Sequence, residues 1–169
     1  GRPCGVIGTL SGARTTPAAP ELQALLAQHR RRGDAAVAME VSSHGLELHR
    51  VDATRFAAAV FTNLSQDHLD FHGTMEAYFA AKARLFTRDF TDTAVICADD
   101  EWGRRLLAEV DGRGGIEAHP YRLDEADDLR LSPGGATFRW RGEPVDLQLA
   151  GRFNVRNAVG AATAAAVLG

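Results

Sequence analysis

The sequence predicts an α/β domain: a mostly parallel sheet in a three-layer arrangement with helices, and a small antiparallel sheet at its side. Three observations lead there. Short apolar runs of strand length, Gly5 to Leu10, Ala35 to Val41, Phe56 to Thr62 and Thr93 to Ala98, alternate with helical patterns. The runs at 35–41 and 56–62 are continuously apolar, as expected of parallel strands buried on both faces. From Gly114 the pattern changes to short runs of period two separated by Gly and Pro pairs, which reads as hairpins.

With 169 residues the chain fits one domain with a real core. A net charge of −3, with 24% charged residues, leaves no basic footprint for nucleic acid. The longest basic run, Arg30-Arg31-Arg32, closes a helical pattern, where positive charge suits the helix dipole. No apolar run is long enough to span a membrane, and from these residues we expect no secretory leader. Cys4 and Cys97 lack CxxC spacing, so the reducing cytoplasm is the expected compartment. Core-like runs lie almost flush with both termini, which leads us to expect a piece of a longer protein.

The elements follow in order. Gly5 to Leu10 is a strand, and Ser11 to Pro20 a loop carrying Thr15-Thr16-Pro17. Glu21 to Arg32 is a helix with Leu22, Leu25, Leu26 and His29 on one face, stopped by Gly33. The next strand ends in Glu40, at the edge where open α/β sheets keep their ligand chemistry. Glu40 reads equally well as a solvent-facing residue. Ser42-Ser43-His44-Gly45 turns the chain into a short helix reaching about Arg50. The run 56–62 delivers Asn63 and an Asp/His cluster to the same sheet edge, with crossovers placing it beside the Glu40 strand. Asp99 or Asp100 caps a helix through Glu109. Ile116 to Tyr121, Leu129 to Ser132, Ala136 to Arg141 and Val145 to Leu149 are the expected antiparallel strands. Gly151 to Asn157 then opens a small-residue helix in which Asn154 is a good N-cap. Asn157, three residues on, can share its face.

The most unusual stretch is Asp67-His68-Leu69-Asp70-Phe71-His72, followed by a helical pattern from Thr74 to Phe86. Its apolar stripe comprises Met75, Tyr78, Phe79, Leu85 and Phe86, and Lys82 falls on that stripe. Eighteen of the 19 basic residues are arginines, and Lys82 is the only lysine. Arginine cannot be deprotonated in a protein, whereas a desolvated lysine amine can be, and then acts as a nucleophile. Lys82 could instead run its methylenes along the apolar surface with its charge in water. A neutral lysine amine adds CO₂ to give a carbamate, and with Glu40 and His68 that would make a hard-cation site. The Asp67/His68/Asp70/His72 spacing also fits a hydrolytic metal centre.

The runs Glu40 to Leu46, Val60 to Gly73 and Tyr78 to Phe86, with Thr15-Thr16-Pro17 and Gly151 to Asn157 in order, resemble the central domain of the Mur ligases. Glu40-Val41-Ser42-Ser43-His44 narrows the resemblance to the branch that adds the third residue of the peptidoglycan stem peptide. The resemblance implies a P-loop NTPase-like fold and ATP-dependent amide ligation. It implies that Lys82 is carbamylated to N6-carboxylysine and that Glu40, His68 and Lys82 hold Mg²⁺. Thr15, Thr16, Ser42 and Arg50 would contact UDP-MurNAc-L-Ala-D-Glu, to which a diamino acid is joined through an acyl phosphate. Meso-diaminopimelate is favoured over L-lysine. Asn154 and Asn157 would line the adenine pocket. Leu48 stands where many relatives have Gln, and no Gly-x-x-Gly-Lys-Thr phosphate loop occurs in the sequence. The resemblance puts that loop, a UDP-binding N-terminal domain and a C-terminal acceptor domain outside these 169 residues, which would leave the fragment inactive. Two other readings remain: a metal-dependent hydrolase built on the Asp/His cluster, and a silent binding module that keeps the nucleotide fold.

Overall fold

A computed structural model describes residues 3–9 and 14–169. The chain divides into two compact units, one comprising residues up to Arg55 with His68–Leu85, the other Phe56–Asp67 with Phe86–Gly169.

In the first unit, strands β1 (Cys4–Ile7) and β2 (Ala36–Met39) pair in parallel, Cys4 opposite Ala36 through Ile7 opposite Met39. Helix α1 (Ala19–Arg32) makes the crossover. Pro20 lies in its first turn, where no backbone donor is lost. Gly33 ends it in the left-handed conformation at φ 81°, its N–H reaching the carbonyls of Arg30 and His29. Leu22 is fully buried, while Arg30, Arg31 and Arg32 are exposed. Leu10, the expected end of β1, lies outside the described residues. The expectation that the run 35–41 is buried on both faces is corrected. Along β2, Ala36 and Ala38 are exposed and Val37 and Met39 half-buried. Among the described residues its one ladder partner is β1, and it alternates as a half-covered strand does.

Helix α2 (Ser43–Glu47) starts at Ser42, whose hydroxyl accepts from the Gly45 N–H at 3.0 Å. The short α3 (Leu69–His72) precedes α4 (Met75–Ala83). Thr74 caps α4 as the sequence predicts, accepting from the Ala77 N–H at 3.1 Å. The helix stops at Ala83 instead of Phe86, tightening into a Leu85 N–H to Lys82 carbonyl bond of 3.2 Å. Tyr78, Phe79 and Leu85 are buried on the predicted stripe.

The second unit holds a parallel sheet of β3 (Ala59–Phe61), β4 (Thr93–Cys97) and β5 (Glu117–Tyr121), in that order. The crossover between β4 and β5 is α5 (Glu101–Arg113), capped by Asp100, which accepts from the Gly103 N–H at 2.8 Å. A Cβ at Gly103 would stand 1.7 Å from the Cys97 carbonyl oxygen, so the helix meets its strand through glycine. The run 116–121 was expected in the antiparallel sheet; it joins the parallel one, Thr93 opposite Glu117. It lies at that sheet's margin, and the strand runs from exposed Glu117 to fully buried Tyr121. The antiparallel sheet comprises β6 (Ala126–Ser132), β7 (Gly135–Trp140) and β8 (Glu143–Leu147). Arg141 and Gly142, at φ 49° and 84°, form the two-residue turn between β7 and β8. Helix α6 (Arg152–Leu168) buries Val155 and Val159 in the cluster with Tyr121, Cys97 and Phe138. Burial pushes the Cys97 thiol above its ordinary pKa, consistent with a core residue. Parallel strands crossed by helices, together with a separate antiparallel sheet, are the predicted class. Among the described residues no helix is long and apolar enough to cross a membrane.

Candidate active site around Lys82

The loop before α1, with Thr15 and Thr16, and the chain after β2, with Ser42 and Arg50, form a hydrogen-bonded group around Glu40. The Glu40 N–H extends the β1–β2 ladder by donating to the Ile7 carbonyl at 2.9 Å, so the side chain stands where the pairing ends. The Thr9 hydroxyl donates to Glu40 Oε2 at 2.8 Å and lies 3.0 Å from the Thr15 hydroxyl. A Cβ at Gly8 would come within 2.6 Å of Glu40 Oε1, so glycine gives the carboxylate its place against the backbone. Thr16, only 1% exposed, accepts from the Ser42 N–H at 2.9 Å. Its Oγ1 also lies within donating distance of the Glu40 carbonyl at 3.1 Å and Ser42 Oγ at 3.2 Å. Arg50 Nη1 donates to the Thr16 carbonyl at 2.9 Å.

A ring cluster in the same unit reaches Lys82 through Tyr78. His68 opens α3 in the left-handed conformation at φ 54°, and its ring meets His44 edge-on with centroids 5.1 Å apart. His44 also lies 3.9 Å from Phe71, centroid to centroid. His72 stacks on Tyr78 at 5.0 Å and 19°, with Nε2 2.9 Å from Ser43 Oγ. Tyr78 is shared: the His68 ring lies 5.9 Å from it, and Lys82 Nζ is 5.3 Å from its centroid. Lys82 is half-buried, one turn from Tyr78 on α4. Burial, then the neighbouring His44, lowers the His72 pKa; Glu47 opposes this, and His68 and Lys82 add to it.

Sequence reasoning missed the parts played by His44 and Tyr78. Tyr78 is four residues before Lys82 and carried a signal; His44 comes from α2, and only the packing of α2 against α4 brings it in. Among the described residues no three His, Cys, Asp or Glu side chains gather to hold a metal ion. The Asp67/His68/Asp70/His72 series therefore gains no support as a self-sufficient hydrolytic centre.

Asn154 and Asn157 lie on α6, in the second unit. The expectation that Asn154 caps the helix is corrected: Gly151 occupies the N-cap at φ 97°, and Asn154 Nδ2 donates back to the Ala150 carbonyl at 2.8 Å. Glycine takes that dihedral without the Cβ clash asparagine would meet. Asn157, three residues on, is exposed.

Residues 2–165 match the family described as Mur ligase middle domain. The chain is 46% identical, over 98% of its length, to the UDP-N-acetylmuramoyl-L-alanyl-D-glutamate--2,6-diaminopimelate ligase of Streptomyces coelicolor, covering 36% of that protein. With the ligase of the same description from Corynebacterium glutamicum the identity is 43% over the whole chain, covering 36% of the relative. A solved UDP-N-acetylmuramoyl-L-alanyl-D-glutamate--2,6-diaminopimelate ligase superposes with a TM-score of 0.83 at 34% identity, over 98% of this chain and 38% of that one. MurF from Acinetobacter baumannii shares the fold at a TM-score of 0.68 and 18% identity, over 99% of this chain and 37% of the other. The chain thus spans a little over a third of the length of these relatives.

Proposed function

The chain belongs to the Mur ligase middle-domain family, and from that premise we propose that it is the ATP-binding central part of a cytoplasmic peptidoglycan ligase. That enzyme joins a diamino acid, meso-diaminopimelate in preference to L-lysine, to UDP-MurNAc-L-Ala-D-Glu. The phosphate loop, the N-terminal UDP-binding domain and the C-terminal acceptor domain belong to other parts of the same protein, so these 169 residues alone do not turn over.

The observation that carries the reading is Lys82, the only lysine, half-buried beside the ring that His68 also meets. Unlike arginine, a lysine amine at this half-buried position can be deprotonated and then act as a nucleophile. The ammonium first loses a proton to solvent; the neutral amine nitrogen then adds to CO₂, a C–N bond forming as one C=O π bond opens, and a second proton leaves the nitrogen, so a cation becomes an anionic carbamate on a long arm. With that change the donor set at Glu40, His68 and position 82 is mainly hard oxygen and fits Mg²⁺. When bound, Mg²⁺ supplies charge neutralisation for the phosphoryl group that ATP transfers to the D-glutamate carboxylate. Thr15, Thr16, Ser42 and Arg50 orient the UDP-linked substrate, with the Thr16 side chain acting through its neighbours. Asn154 and Asn157 offer amides to adenine.

The test is carbon NMR of the full-length enzyme in isotope-labelled bicarbonate. A carbamate resonance is expected, absent in Lys82→Arg, together with loss of ligation in a variant whose circular dichroism is unchanged. Ligation retained by Lys82→Arg would sink the proposal.

A further inference from the structure

The second unit contains a site that the ligase reading does not use. An open crevice of about 390 Å³ lies beyond the C-terminal ends of β4 and β5, against the start of α6. Arg104, Arg122, Arg152 and Arg156 line it, together with Asp99 and Asp124, which leaves two positive charges in excess. Asp99 is already engaged: its Oδ2 accepts from the Leu123 N–H at 3.0 Å. Arg104 anchors one wall by donating through Nη1 to the Ala98 and Asp99 carbonyls at 3.2 and 3.0 Å. Arg156 is the odd member, because its Nε is buried with no hydrogen-bond partner among the described residues. A buried, unmatched guanidinium donor is costly, and native structures rarely leave one unanswered.

The placement adds a second cost. Arg152 is the first residue of α6 and Arg156 lies one turn on, at the positive end of a 17-residue helix dipole. No acidic residue stands in the first turn, and no side chain among the described residues caps it. Cations at a helix start are the wrong sign, unless an anion joins them. Arg152 and Arg156, four apart, share one face of α6, whereas Asn154 and Asn157 lie on another, so the crevice is separate from the amides assigned to adenine.

We propose that this crevice binds a phosphate-class dianion, held by the Arg152 and Arg156 guanidiniums at the start of α6 with Arg104 and Arg122 around it. Arginine's planar fork matches tetrahedral oxyanions bidentately, and a doubly charged ligand balances the surplus charge. The dianion can be free orthophosphate or the terminal group of a phosphate monoester.

Phosphorus NMR titrations of the full chain with inorganic phosphate, and separately with glycerol phosphate, at constant ionic strength, test this. Saturable binding is expected for at least one; whichever is tighter identifies the source. Arg156→Gln and Arg152→Gln should each weaken it roughly tenfold, since each removes a charge-assisted contact. Arg141→Gln, in the β7–β8 turn, should leave it unchanged and so control for net charge. Should Arg156→Gln fail to fold by circular dichroism, the exposed Arg152→Gln decides. Non-saturating binding by the unaltered chain, or unaltered affinity in a folded Arg152→Gln, would overturn the proposal. Lys82→Arg should bind phosphate normally, which separates this site from the carbamate.

Discussion

Thr16 and Ser42 clamp one another: the Ser42 N–H donates to Thr16 Oγ1 at 2.9 Å, and the two hydroxyl oxygens lie 3.2 Å apart. The clamp joins the loop before α1 to the chain leaving β2, beside Glu40. Because Thr16 is buried, its hydroxyl serves the protein's own backbone. Thr16→Val keeps the shape and strands the Ser42 donor, so we expect a loss of about 1–3 kcal/mol in urea unfolding. Thr15→Val removes one exposed hydroxyl contact and should cost less than about 1 kcal/mol. Equal effects would contradict the clamp.

His72 gives the first unit a pH dependence. Its folded-state pKa lies below the unfolded value of 6.5, first through burial and then through His44, with Glu47 opposing and His68 and Lys82 reinforcing. The unfolded chain therefore takes up the proton first as pH falls. Stability from neutral His72 is complete above 6.5 and declines as pH drops through the lowered value. Thermal melts of the chain and of His72→Gln should converge as the pH is lowered through that window. A constant gap between them would refute the assignment.

Two glycines of α5 predict opposite outcomes. Gly103→Ala drives a methyl into the Cys97 carbonyl and should cost about 3 kcal/mol, by moving the helix off β4. Gly112 has nothing within 4 Å of an added Cβ, so Gly112→Ala should stabilise by about 0.5–1 kcal/mol. Chemical denaturation of both variants decides it.

Thr74→Ala removes the cap of the helix that presents Lys82. We expect a loss of about 1 kcal/mol and faster amide hydrogen exchange at Ala77. Unchanged exchange there would show that packing of Tyr78 and Phe79 fixes the helix start without the cap.

The sequence revealed what local chemistry decides. Gly33, Thr74 and Asp100 punctuate their helices as expected, because caps are made by residues a few positions apart. Strand direction was less legible. The run 116–121 alternates like a hairpin strand, and only its ladder with β4 makes it parallel. Thr16 meets Ser42 and the Glu40 backbone, and Arg50 reaches the Thr16 carbonyl, because all of them lie around the end of β2. The contribution of His44 could not be read, because it depends on how α2 meets α4. The arginine crevice was hidden for the same reason: Arg152 and Arg156 are visibly spaced, but Arg104 and Arg122 reach them only through the sheet.

The division of the chain has a consequence for its biosynthesis. Backbone leaves the first unit at Arg55, re-enters at His68 and departs again after Leu85. A polypeptide emerging from the ribosome thus presents Glu40 and the Thr16–Ser42 clamp well before the helix bearing Lys82 exists. Lys82 belongs to the last segment of that unit to be delivered, so a nascent chain arrested at Arg55 lacks the α2–α4 packing.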